Sequence, residues 1–175
     1  MNIILTGYRA TGKTTIGASL AARLNREFID TDDRIEEREK MKIKDIFEKR
    51  GWQYFRKVEK TIVRTLAKLD DKIIAVGGGT FMYKENLQLT QNAKVVLLIA
   101  PIEILAERIR NDPNRPPLTE AQSSVDEIME VWGRRKERYY EVSDIVCDTR
   151  TGDVEKIVDE IVRKLEVSSF SSSSS

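Results

Sequence analysis

Residues 7–14 read Gly7-Tyr8-Arg9-Ala10-Thr11-Gly12-Lys13-Thr14, which satisfies the phosphate-loop spacing G-x-x-x-x-G-K-[ST]. With glycine at about 7% of residues, two glycines fall at this spacing by chance at roughly one start in two hundred. The required Lys-Thr pair makes the coincidence far rarer. The flanks agree with the motif. Asn2-Ile3-Ile4-Leu5-Thr6 is a short β-branched apolar run, and Ile16, Leu20, Ala21 and Leu24 then recur at helical spacing. A strand, a glycine loop and a helix N-terminus together present backbone N–H groups and a positive dipole end to phosphate oxygens. Gly7, Arg9, Ala10, Thr11, Gly12, Lys13, Thr14 and Thr15 are therefore the candidate nucleotide-binding residues. Lys13 is placed to reach the β- and γ-phosphates, and the Thr14 hydroxyl to ligate Mg²⁺. The duller reading is a glycine-rich turn with a solvated lysine.

Working outward, strands and helices alternate. Phe28-Ile29 reads as a strand stopped by Asp30-Thr31-Asp32-Asp33. Helical stretches follow from about Arg34 to Leu69, broken near Met41 and Gly51. Lys72–Val76 and Ala93–Ile99 are further strands, the first ended by Gly77-Gly78-Gly79. Helices are expected over Ile102–Arg110 and Ser123–Glu141, with a strand at Asp144–Cys147 and a last helix striped by Val154, Ile157, Val158, Ile161, Val162 and Leu165. The pattern predicts an α/β chain: a three-layer α/β/α phosphate-loop fold around a parallel, five-stranded sheet. Residues 1–167 form one domain, and the serine-rich stretch 168–175 reads as a disordered tail.

Composition narrows the chemistry. The 175 residues include 30 Lys+Arg against 29 Asp+Glu, a net charge of +1, which argues against a general nucleic-acid binder. No apolar run approaches the ~20 residues of a membrane span. Cys147 is the single cysteine, so no intrachain disulfide can form, and a reducing cytoplasm fits. Histidine is absent, so acid–base work falls to carboxylates, Lys, Tyr or Cys147. The N-K-x-D pattern of GTPases is missing, as is the Asp-Glu strand end of motor ATPases. A kinase of a small metabolite is the reading that remains.

Several further segments, taken in order, resemble the shikimate kinase family. They are Asp30-Thr31-Asp32 with Ile35-Glu36; Ile46-Phe47 and Gly51 before Phe55-Arg56 and Glu59; the Gly77–Gly79 triplet; Arg115-Pro116; and Arg135 with Tyr139. Pro117, Gln53 and Arg138 depart from the usual pattern. The resemblance implies transfer of the γ-phosphoryl of ATP to the 3-hydroxyl of shikimate, with Mg²⁺, on the route to chorismate and the aromatic amino acids. It implies that Arg56 and Arg135 hold the carboxylate, and that Gly77, Gly78 and Gly79 line the substrate. Asp32 would hold the ring hydroxyls and take the attacking proton, with Asp30 near the metal. Residues 31–62 become the substrate-binding region and 111–123 a lid carrying Arg115 over the phosphates. Arg108 and Arg150 fall near adenine.

Each assignment has a plainer rival. Asp30–Asp33 could only cap a helix, Arg56 and Glu59 could be an exposed helix pair, and Arg134–Arg138 could be a solvated face. A gluconate-type kinase of the same build and a catalytically silent nucleotide-binding domain also stay open. The expected partners are shikimate and ATP, with no nucleic acid or membrane, and the expected state is a monomer. Lys13→Ala is expected to nearly abolish turnover while leaving the fold intact. Normal kcat in a folded variant would contradict the phosphate-loop reading.

Overall fold

In the computed structural model, which describes residues 1–110, 119 and 123–171, β1 (Asn2–Gly7) is buried at every position. Its Ile4 stands level with Ile74 of β3 (Lys72–Ala75) on one edge and with Val95 of β4 (Ala93–Ile99) on the other. With β2 (Glu27–Asp30) and β5 (Ile145–Asp148), the strands form a five-stranded parallel sheet ordered β2-β3-β1-β4-β5. Both faces are covered, which is why the strands read as unbroken apolar runs.

Alternation along β1 divides the core. Ile3 and Leu5 pack with Ile16 and Leu20 of α1 (Lys13–Leu24) and with Ile157, Val158 and Ile161 of α6 (Val154–Ser171). Ile4 points the other way, to Val63 and Leu66 of α3 (Ile43–Leu66). A smaller cluster joins Ile35 of α2 (Thr31–Glu39) to Ile46, Phe55 and Val58 of α3. Another joins Tyr8 to α4 (Ile102–Arg110) and α5 (Ser124–Val142).

The expected breaks are present. Lys40 ends α2 in the left-handed region at φ 51°, and Gly51 interrupts α3 with φ 78° and ψ 172°. Two short 3₁₀ helices, Thr80–Met82 and Lys84–Thr90, had no periodic signal. At the other end α6 continues to Ser171, past the tail boundary expected at Ser168. Extending an established helix fixes only one residue per added bond, so serine's weak propensity does not stop it at once. The Ser168 hydroxyl donates back to the Leu165 carbonyl at 2.9 Å. Residues 172–175 and most of 111–123, including Arg115, lie outside the described residues. No described helix is long and apolar enough to cross a membrane.

Cys147 on β5 is fully buried, and that burial, with Glu160 adding to it, pushes its thiol from 9.0 up to about 12. The group's contribution to stability is full below about pH 9 and is lost as pH rises toward 12. The native protein is therefore expected to resist thiol reagents at about pH 8 and to react only as it unfolds. Rapid labelling of the folded protein would contradict this placement.

Candidate functional site

The phosphate loop leaves β1 through a contact that only glycine permits. Gly7 has φ 139°, and a Cβ there would stand 2.3 Å from the Leu98 carbonyl oxygen of β4. The chain then turns through left-handed geometry at Ala10 (φ 64°) and Gly12 (φ 92°), where α1 begins. Such turns aim successive N–H groups into one concavity. Lys13 curls back over the loop, its Nζ donating to the Gly7 and Tyr8 carbonyls at 3.1 and 2.9 Å. The Thr14 hydroxyl donates to Asp30 Oδ2 at 2.8 Å.

The acidic segment divides its labour. Asp30 is the N-cap of α2, its Oδ1 accepting from the Asp32 N–H at 2.9 Å. Capping therefore falls to Asp30, and Asp32 Oδ1 lies 3.4 Å from where a Gly77 Cβ would stand. Asp33 and Glu36 join the same wall. Partial burial, followed by Asp30, Glu36 and Glu37, raises the Asp33 carboxyl above its usual range.

Arg56 lines the same cavity as these carboxylates, in surroundings unlike an exposed helix pair. Its Nη1 donates to Glu59 Oε2 at 2.6 Å, and the Glu59 side chain is 1% exposed. Thr80 donates to the other Glu59 oxygen at 2.8 Å. The guanidinium lies 4.4 Å from the Trp52 ring centre and 5.1 Å from those of Phe55 and Tyr83. Breaking a buried pair of this kind costs about 3–5 kcal/mol, well beyond the worth of a surface pair. Gly79 makes room for Arg56, because a Cβ there would stand 2.6 Å from its Nη2. Tyr139, buried on α5, donates to the Gly78 carbonyl at 2.5 Å. Burial raises its phenol pKa, with neighbouring Arg135 pulling it back.

These groups enclose a cavity of about 360 Å³, within the size range of small-molecule sites. Arginines 9, 56 and 135 and the carboxylates of Asp30, Asp32, Asp33, Glu36 and Glu59 line it, with Phe47, Trp52 and Phe55 as apolar walls. A second cavity, about 140 Å³, is lined by Gly12, Lys13, Thr14 and Thr15 of the phosphate loop. The two share Thr14, Asp30, Asp32, Gly77 and Gly78, so acceptor and phosphate spaces meet at Asp32.

The peripheral arginines separate. Arg108 bonds to the Ala10 carbonyl and to Thr149, and lines a third cavity with Thr11, Gly12 and Gly152. Arg150 is not in that cavity. It pairs with Asp148 at 2.6 Å and borders a separate recess with Tyr8 and Trp132. The Arg9 side chain pairs with Glu127 of α5. Trp52, Tyr83, Thr80 and Glu127 were not singled out from the sequence. Trp52, four residues before Arg56 on the same helix, carried a usable signal. The others meet the site only through tertiary contact.

Among the described residues no group of three or more acidic, Cys or His side chains could hold a metal. The site nonetheless fits Mg²⁺, which is commonly held by one or two protein oxygens with substrate phosphates and water. Thr14 and Asp30 offer those oxygens beside Lys13.

Comparison with known proteins agrees with this geometry. The family model described as Shikimate kinase matches residues 9–166. A shikimate kinase from Caldanaerobacter subterraneus subsp. tengcongensis is 36% identical over 165 residues, 93% of this chain and 94% of that protein. The solved structure of the shikimate kinase from Acinetobacter baumannii in complex with shikimate aligns with a TM-score of 0.90. Its identity is 32%, over 95% of this chain and 93% of the other. That of the Aquifex aeolicus shikimate kinase gives 0.81 at 32% identity, over 97% and 98%. With sequence and fold matching along nearly its whole length, the chain belongs to the shikimate kinase family.

Proposed function

We propose that the residues of these two adjoining cavities carry the family's reaction in the roles that follow. The chain is an ATP-dependent phosphotransferase that acts on the 3-hydroxyl of shikimate, giving shikimate 3-phosphate and ADP on the route to chorismate. The observation that carries the roles is the mixed lining of the 360 Å³ cavity, which offers Arg56 and Arg135 together with Asp32 and the Gly77–Gly79 backbone. Shikimate calls for both kinds of group, with a carboxylate at one end of its ring and hydroxyls at the other.

Arg56 and Arg135 take the carboxylate as planar, permanently charged forks. Arg56 is pre-oriented by Glu59 and by the aromatic rings around it, so little freedom is lost on binding. Gly77, Gly78 and Gly79 let the ring lie close to the backbone. Asp32 accepts from the 3-hydroxyl and receives its proton as the oxygen bonds to the γ-phosphorus. The bond from that phosphorus to the β-bridging oxygen breaks, and its electron pair leaves with ADP. Lys13 and the loop N–H groups face the charge that gathers on the phosphates, since this chemistry is chiefly positioning and electrostatics. Mg²⁺, held by Thr14 and Asp30, would neutralise phosphate charge. Gly7, Arg9, Ala10, Thr11, Gly12 and Thr15 shape the phosphate side, and Arg108 borders the base.

Arg115, in the 111–123 segment, serves as the cation over the transferring group, by its match to the lid motif. Arg150 stays a weaker adenine candidate, because its guanidinium is taken up by Asp148. Residues 1–167 act as one domain, with 31–62 its substrate-binding region. The chain acts on shikimate and ATP as a monomer. A lone, buried thiol is consistent with the cytoplasm.

Two substitutions separate binding from chemistry. Arg56→Lys keeps the charge but loses the fork and the ring stacking. Charge-assisted bonds are worth about 1.5–3 kcal/mol, so KM for shikimate should rise roughly tenfold or more while KM for ATP stays put. Asp32→Asn keeps the shape but loses the proton acceptor, and kcat should fall by about 10² or more. A rise in KM for ATP with Arg56→Lys, or an unchanged kcat with Asp32→Asn, would overturn these roles.

A further inference from the structure

The two residues that open the phosphate loop turn their side chains away from the phosphate cradle and onto one carboxylate. Tyr8, fully buried, donates its hydroxyl to Glu127 Oε1 at 3.2 Å, and Arg9 Nη2 bonds to the same oxygen. The Arg9 and Glu127 side chains are 10% and 5% exposed, so neither charge is left to water. Burial is the main reason the Tyr8 phenol is pushed from 10.0 up to about 12, so it stays a donor well into the alkaline range. Glu127 is in the first turn of α5, where its N–H bonds to the Ser123 carbonyl. Its carboxylate is therefore fixed to a helix rather than to a loop.

That helix touches the active site twice. Near its other end Tyr139 holds the Gly78 carbonyl of the acceptor loop. Gly78 in turn packs against the start of the phosphate loop, where a Cβ would stand 3.0 Å from the Gly7 carbonyl oxygen. The carbonyls of Gly7 and Tyr8 are also the ones that hold the Lys13 ammonium. A shift of Tyr8 would carry the acceptors of Lys13 with it.

We propose that Glu127 is a positioning residue for phosphoryl transfer. By bonding Tyr8 and Arg9 it ties the phosphate loop to α5 and keeps the loop backbone and Lys13 aimed at the nucleotide. The tie holds the donor loop from the helix that also holds the acceptor loop, and so sets how the two halves of the site face each other. Glu127 touches neither substrate; it acts through the loop. This rests on the kinase reading above.

The test is steady-state kinetics in both substrates, with melting temperature, on the full chain. Glu127→Gln can still accept from Tyr8 but loses the charge that holds Arg9. The expected result is a KM for ATP raised about tenfold, the scale of one charge-assisted bond, with a smaller rise in KM for shikimate, whose cavity Arg9 also lines. If Arg9 instead held the nucleotide directly, releasing it would leave KM for ATP unchanged or lower, and the proposal would fail. Because losing a buried ionic partner lowers stability, Arg9→Met/Glu127→Gln is the second variant. It should recover melting temperature yet keep the raised KM for ATP. Recovery of both would reduce the pair to a structural role and overturn the proposal. The parent enzyme run alongside keeps the two readings apart, since its failure to phosphorylate shikimate would strike the kinase reading rather than the tie.

Discussion

Strand β1 is hydrogen-bonded along both edges, to β3 and to β4, and whatever leaves its carboxyl end must share space with what leaves theirs. The sheet order reverses direction about this strand, opening a crevice at the strand ends where α/β proteins bind ligands. The phosphate loop emerges there from β1 and the glycine triplet from β3. The approach is close enough that Gly7 has no room for a side chain against Leu98 of β4. The meeting of the phosphate space with the acceptor cavity follows from that crowding.

A second layer of constraint is electrostatic. The acceptor cavity is lined by charges of both signs, and such an arrangement survives only if each charge is held. Glu59 is buried for that purpose, with Arg56 on one oxygen and Thr80 on the other. Asp30 spends one oxygen on the α2 cap and the other on Thr14, which leaves Asp32 beside Gly77 at the junction of the two cavities. Two aspartates one residue apart, Asp30 and Asp32, thus meet different surroundings. The helix N-terminus decides the difference.

Much of this was legible in the sequence because it is local. The phosphate loop, the Asp30-Thr31-Asp32 segment and the glycine triplet each join a strand end to the next turn, and their spacing is their geometry. The break at Gly51 was legible for the same reason, since the chain there needs a positive φ. What escaped was set at a distance. Tyr83 reaches Arg56 from a 3₁₀ connection with no periodicity, and Glu127 meets Tyr8 across 119 residues. Arg150 shows the converse: a salt bridge to Asp148, two residues back, turns its guanidinium to a recess other than the one beside Arg108.

The central claim is that two adjoining cavities bring a carboxylate-bearing polyol and the γ-phosphoryl group together at Asp32. Phosphorus NMR of the protein with ATP, Mg²⁺ and shikimate tests it most directly, because it sees the new bond. The account predicts a phosphomonoester resonance that grows in step with ADP, with no comparable signal when gluconate replaces shikimate. ADP released with inorganic phosphate alone, or a phosphomonoester formed equally well from gluconate, would contradict it.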